Sequence, residues 1–420
     1  MASQHRRQSS YEDVFDLPGQ SQMPAQPHQH HQTSFEDVID FSAEEPLTVD
    51  QRSHAHRRFE KAIEYFGNHI SSSAKFKPHL LIRYTYEFAR SELSKDMILR
   101  FFFASIKIDI DSTEDIELND SLLHELKEFA DLLLNHFFAP CKLCPIKLNP
   151  LVSAADAFFA VKSTGTITPQ PSPAILSALQ RVQGQHEFIG TPDRIAVLRS
   201  LCLVRDHHKC VVSQSFDVKE GIARLSNDPD ARDDEGTQLR GQSLYALEVA
   251  HIIPHSLMQS DTSSGLSEAK KTVIQILNMF DYNVSHIING TDIDRPHNAM
   301  SLNSTAHLLF GNFDIFLEPV DGQEHTYYVK SLKSAISLAF GLPVTRKLFL
   351  SDDRSIEPPS PRLLALHRAI AHILFLSGAG EYINKILDDF DKTGVRADGT
   401  TELGRMVSWR MSGGLGGIAV

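Results

Sequence analysis

The chain has 420 residues, enough for two or three domains, and 41% of them are hydrophobic, so sizeable cores can form. Its formal net charge of -12 excludes nucleic-acid binding by bulk electrostatics, because phosphate neutralisation needs Lys and Arg; such a contact requires a local basic patch. Four cysteines are too few for a disulfide scaffold in a chain this long.

The opening MASQHRRQSS has no apolar core of a secretory signal, and no stretch reaches the ~18 uninterrupted apolar residues of a membrane span. An intracellular, reducing setting without membrane contact is expected, in the nucleus or the cytoplasm. Residues 1–47 are rich in Gln, His, Ser and Pro, and are expected to be disordered. Within them SSYEDVFDL (9–17) recurs as TSFEDVIDF (33–41). Two such acidic, apolar segments suit docking to one protein partner, where linkage raises the effective concentration. Tyr11 and Phe35 would be the anchors. Chance duplication is the other reading. The QPHQHHQ tract between them reads as a polar spacer.

Residues 48–162 show apolar positions at helical spacing, in HRRFEKAIEYFGNHI and in SLLHELKEFADLLLNHFF, with Asn119 or Asp120 as a cap for the latter. They are expected to form a helical accessory domain without a catalytic constellation. Cys141 and Cys144 form one CxxC pair; without a second pair they read as ordinary thiols. Residues 163–186 form a Pro/Ser/Thr linker.

A new domain is expected over 187–335. It opens with GTPDRIAVLRSLCLVRD, where Thr191 suits an N-cap and Pro192 the first helical turn. RDHHKC follows, placing His207 and His208 in a turn where glycine would be expected. KCVVSQSFD reads as a short strand-forming run, with Cys210 packed inside. NDPDARDDEG is an acidic loop. SLYALEVA reads as a strand that delivers His251 at its end, before Ile-Ile-Pro. An amphipathic helix, GLSEAKKTVIQILNMFDY, comes next. Then Asn298 starts the short strand NAMSL, Asn303 can cap the helix STAHLLFG, and His307 lies on that helix. FDIFLEP and HTYYVKSL read as strands around a VDG turn. Residues 336–420 form a helical C-terminal extension, with PRLLALHRAIAHILFLSG and AGEYINKILDDFDKTG as helices and RMSGGLGGIAV frayed.

The order strand, His251, long loop, Asn298, eight residues, His307 on a helix resembles the HNH endonuclease motif with its ββα-metal finger. The flanking RDHHKCVVSQSFD, LEVAHIIPHSL, DIDRPHNAMSLNSTAHLLFGNFDIFLEP and DDRSIEPPSPRLLALH are similar to fungal HNH-domain proteins, over roughly residues 190–390. The fold class implied is α+β: a mostly helical N-terminal region, an HNH-type nuclease domain with added strands, and a helical C-terminal segment. The activity implied is metal-dependent phosphodiester hydrolysis in DNA or RNA. Such chemistry needs an imidazole to activate water and a hard divalent cation to meet the developing charge. Mg²⁺ is the expected ion, with Mn²⁺ and Zn²⁺ as alternatives.

By position, His251 resembles the general base, and His307 a metal ligand. Asn298 resembles the middle Asn, which in this family either binds the metal or ties down the loop. Many relatives carry a metal-binding Asp, Glu or His before the base, where this chain has Ala250. Three accounts stand: a well-hydrated ion needs no ligand there, another carboxylate substitutes, or the site is degenerate and the domain serves as an interaction scaffold. Asp294 is the first substitute; Glu248, on the same strand face as Ala250, is the second. Arg295 is a candidate phosphate contact, or else a loop-pairing arginine. Residues 191–330 hold 19 Asp and Glu against 12 Lys and Arg, the reverse of the usual balance in a nonspecific nuclease.

Overall fold

The computed structural model describes residues 45–142, 192–254, 257 and 268–393. The repeated segments 9–17 and 33–41, the predicted linker, Cys144, Thr191, His255 and the C-terminal end all lie outside these residues. Elements follow in chain order: α1 Val49–Asn68, α2 Pro78–Glu87, α3 Glu92–Ser105, α4 Asp120–Leu133, α5 Pro192–Arg205, β1 Phe216–Asp217, α6 Val218–Asn227, β2 Leu244–Tyr245, β3 Leu247–His251, α7 Glu268–Phe280, β4 Ala299–Asn303, α8 Ser304–Gly311, β5 Phe316–Pro319, β6 Thr326–Lys330, α9 Ser334–Phe340, β7 Val344–Lys347, α10 Pro361–Leu376 and α11 Ala379–Thr393. The fold is α+β.

Local chemistry sets these limits. Thr48 and Gln51 form a reciprocal capping box at the start of α1. The Asn119 side chain accepts from the Leu122 amide at 2.9 Å and opens α4, which continues through a π turn at Leu134–Phe138. Pro192 stands at the first position of α5, where its missing N–H is no loss.

The apolar stripes of α1–α4 meet around Phe59, Phe102, Phe103, Phe137 and Phe138, all fully buried. This core does not stop at residue 142. Phe137 stacks on Phe280 of α7 with ring centroids 5.2 Å apart, and α2 packs against α10. The N-terminal helices therefore share packing with elements from both later segments.

The strands form three small sheets: β1–β2 parallel, β3–β4 antiparallel, and β5–β6–β7 antiparallel. The run KCVVSQSFD contributes only the two residues of β1. A tight loop takes the rest: Gln214 N donates to Cys210 O, Cys210 N donates to Ser215 O (both 2.8 Å), and Gln214 has φ 64°. The expected boundary at 335 falls inside α9, and β7 beyond it completes the sheet begun by β5 and β6. His207 and His208 both have φ 54°, the left-handed conformation for which a glycine was expected.

Cys141, Cys202 and Cys210 are buried free thiols, and burial pushes Cys202 up to about 12. Helix α10 is mostly buried, and no single helix among the described residues is long and apolar enough to cross a membrane.

Candidate active site

The β3–β4 ribbon carries the site. Its register pairs Leu247 with Asn303 at one end and His251 with Ala299 at the other. Alternation sends successive β3 side chains to opposite faces. Val249 packs on Leu198 and Cys202 of α5, together with Ala299. Glu248 meets α8 on the other face. The ribbon thus lies between α5 and α8.

His251 continues the Val249 face at the end of β3. Its Nε2 lies 3.0 Å from Asp294 Oδ1, and the other carboxylate oxygen of Asp294 lies 3.5 Å from Arg194 Nε on α5. The Asp294 side chain is fully buried and that of His251 is 9% exposed. A carboxylate on Nε2 selects the tautomer with hydrogen there and makes Nδ1 the basic nitrogen.

His307 is held from the opposite face. Its Nδ1 lies 2.6 Å from Glu248 Oε2, while Ser304 Oγ donates to Glu248 Oε1 at 3.0 Å. The hydrogen bond from His307 holds the Glu248 carboxyl below the usual range, against partial burial. A half-exposed carboxylate that stays ionised, next to an imidazole oriented through Nδ1, is the arrangement that directs Nε2 toward a metal. Ala250 shares this face and is fully buried, opposite Met300.

Asn298 precedes β4 and has no exposure. Its Oδ1 accepts from Ile253 N at 2.9 Å, and its Nδ2 donates to Ile253 O at 3.0 Å and to Ile293 O at 2.9 Å. The side chain clasps the turn after His251 to the segment carrying Asp294. Of the two roles open to this asparagine, the contacts are those of loop tying. Arg295 forms an ion pair with Glu357 and a longer one with Asp292 at 3.4 Å, so its contacts are those of a loop-pairing arginine.

The structure thus brings His251 to Asp294 and His307 to Glu248, as two separate pairs on two faces. The predicted ligand set of His307, Asn298 and Asp294 is not assembled, and among the described residues no group of three or more His, Cys, Asp or Glu can hold a metal ion. Both carboxylates weighed as substitute ligands orient histidines instead. Both were legible as acids near the motif; their partners were not.

A buried brace beneath the ribbon was not anticipated. Arg205, at the end of α5, pairs with the neighbouring Asp206 at 2.8 Å and 3.0 Å, and donates to Pro296 O, Ala299 O and Glu357 O. Asp206 accepts from Ser301 N in β4 at 2.8 Å. Together they fix the strand that follows Asn298. The acidic loop is also locally neutralised: Lys209 pairs with Asp233 and Glu235, and Arg224 with Asp234.

Residues 210–318 match the family model described as HNH endonuclease. No curated protein and no solved structure matches the chain.

Proposed function

We propose that the chain is an endonuclease that hydrolyses phosphodiester bonds in nucleic acid, with His251 as general base. The observation that carries this reading is the His251–Asp294 pair at the end of β3, inside the matched domain. Nδ1 of His251 takes a proton from water as the oxygen bonds to phosphorus, while the P–O bond to the leaving nucleotide oxygen breaks and that oxygen takes a proton from solvent. Asp294 holds the ring and stabilises the imidazolium that results. Among the described residues His307, oriented by Glu248 through Nδ1, is the one that could meet a hydrated divalent ion such as Mg²⁺, which keeps most of its waters and takes few protein ligands. Such an ion would neutralise charge developing on the phosphate.

A second reading is favoured by the burial of Ala250 and by the placing of the two histidine pairs on opposite faces: a domain that keeps the fold and works as an interaction scaffold. One experiment separates the two. Full-length protein is incubated with supercoiled plasmid and with single-stranded RNA in Mg²⁺, Mn²⁺ or EDTA. Metal-dependent cleavage is expected, falling by about 10²–10⁴-fold in His251→Ala and also falling in Asp294→Asn. Folded protein that cleaves neither substrate with either metal would refute the nuclease reading and leave the scaffold.

A further inference from the structure

Three shallow cavities adjoin along the loop that leads into β1. One of about 430 Å³ is lined by Tyr245, Gln214 and Asn303. A second, of about 290 Å³, shares Asn303 and Ser213 with it, and a third, of about 560 Å³, shares Gln214 with the first and Arg346 with the second. Through these shared residues they neighbour one another, with Tyr245 lining the first and Lys347 the third, and are taken together as a groove. Its floor is fixed: Asn303 Nδ2 donates to Ser213 Oγ at 2.9 Å, and Arg346 Nε donates to Val212 O at 2.7 Å.

The ends of the groove have the chemistry of a nucleic-acid strand. Tyr245 is 54% exposed, an aromatic face that little of the protein covers. Arg346 lines two of the cavities and gives its hydrogen bonds to backbone carbonyls, and no carboxylate among the described residues pairs with it or with the exposed Lys347. Burial lowers the pKa of Arg346, the mark of a guanidinium deprived of water. Glu235, the acid that lines the same cavity, is paired with Lys209 at 2.6 Å. In a chain of net charge -12, Arg346 and Lys347 are cations without acidic partners that follow one another on the edge strand β7 and so flank that edge from its two faces, where a phosphate backbone passing along the edge can meet each in turn.

The groove lies at the end of the ribbon opposite the candidate base. Tyr245 stands two residues before β3, and Asn303 pairs with Leu247 at the near end of the ribbon. From that pair to His251 is four strand steps, about 14 Å at ~3.4 Å per residue. That is about four nucleotides of a stacked strand.

We propose that this groove binds single-stranded nucleic acid, with Tyr245 stacking on a base and Arg346 and Lys347 meeting phosphates. The proposal rests on the nuclease reading and supplies its substrate class. A base must leave its duplex partner to lie on a tyrosine, and two cations are too few to hold a duplex by charge alone.

The test uses the full-length chain carrying His251→Ala, in EDTA, so that binding is read without cleavage. Fluorescent single-stranded DNA and RNA of about 12 nucleotides, and the matching duplex, are titrated by anisotropy. Single strands of one or both kinds are expected to bind more tightly than duplex. Adding Tyr245→Ala should weaken single-strand binding by about 5- to 150-fold, the equivalent of 1–3 kcal/mol per stacked base. Lys347→Ala should lower the salt slope by about 0.7. Both side chains are exposed, so folding is unaffected, which circular dichroism checks. No binding, a preference for duplex, or unchanged affinity in both variants would overturn the proposal. Tyr245-dependent binding by a chain that never cleaves would sink the nuclease reading alone. Cleavage that proceeds at parental KM in Tyr245→Ala would sink the groove alone.

Discussion

Asn298→Asp distinguishes an asparagine that ties a loop from one that holds a metal, because the two roles respond with opposite signs. The amide donates two hydrogen bonds, to Ile253 O and Ile293 O, and accepts one from Ile253 N, all at a position without exposure. Aspartate keeps the acceptor and loses both donors. Each lost bond contributes about 1 kcal/mol net, and each carbonyl left buried without a partner adds to the loss. An oxygen now faces two carbonyl oxygens, and the carboxyl must be buried charged or take up a proton. The sum is a destabilisation of roughly 3–5 kcal/mol. A ligand asparagine would behave otherwise: aspartate there would leave the metal-free protein nearly unchanged and would strengthen the response to a divalent ion. Urea unfolding in EDTA, and again in Mg²⁺, measures both. A variant within about 1 kcal/mol of the parent in EDTA, with a larger gain in Mg²⁺, would refute the loop-tying role.

Two other buried groups give predictions of comparable size. Burial depresses His367 to about 3, against the opposing hydrogen bond to Phe310 O, while its ring stacks on Phe310 of α8 with centroids 3.8 Å apart. An unfolded imidazole titrates near ~6.5 and takes up a proton that the folded one refuses, so stability is full above that value and is lost as pH falls toward 3. Between pH 8 and pH 5 the loss from this group is about 2 kcal/mol. His367→Leu should remove that much of the pH dependence, and equal losses in parent and variant by urea unfolding would count against it. Arg205→Leu leaves Asp206 buried without its cation, and should cost about 3–5 kcal/mol; Arg205→Leu with Asp206→Asn should recover part of it, since Asn keeps an acceptor for Ser301 N. A double variant no more stable than the single would show that the charge is not the cause.

The elements of the matched domain were legible because each is announced locally. Pro192 opens a helix, period-2 alternation marks LEVAH, and Asn303 caps STAHLLFG; all three act within a few residues of themselves. The partners of the site residues were not legible, since they depend on which face of a two-stranded ribbon meets which helix. Glu248 and Asp294 were both in view as acids near the motif, and chemistry alone allowed either to stand in for the ligand missing at Ala250. Packing decided otherwise. Glu248 reaches His307 because α8 covers the even-numbered face of β3, and Asp294 reaches His251 because the clasp of Asn298 on Ile253 and Ile293 draws its segment to the odd-numbered face. Neither relation has a sequence spacing that encodes it: the separations are 59 and 43 residues. The Arg205–Asp206 brace was hidden for a different reason. Adjacent opposite charges at a helix end read as solvated, and only the burial of β4 against α5 turns them into the support of the strand. Alanine at 250 is therefore compatible with an intact framework around both histidines. On the proposed nuclease reading, cleavage is expected in Mg²⁺ and not in EDTA, and His307→Ala should abolish that difference; cleavage that proceeds equally in EDTA would refute a role for a divalent ion.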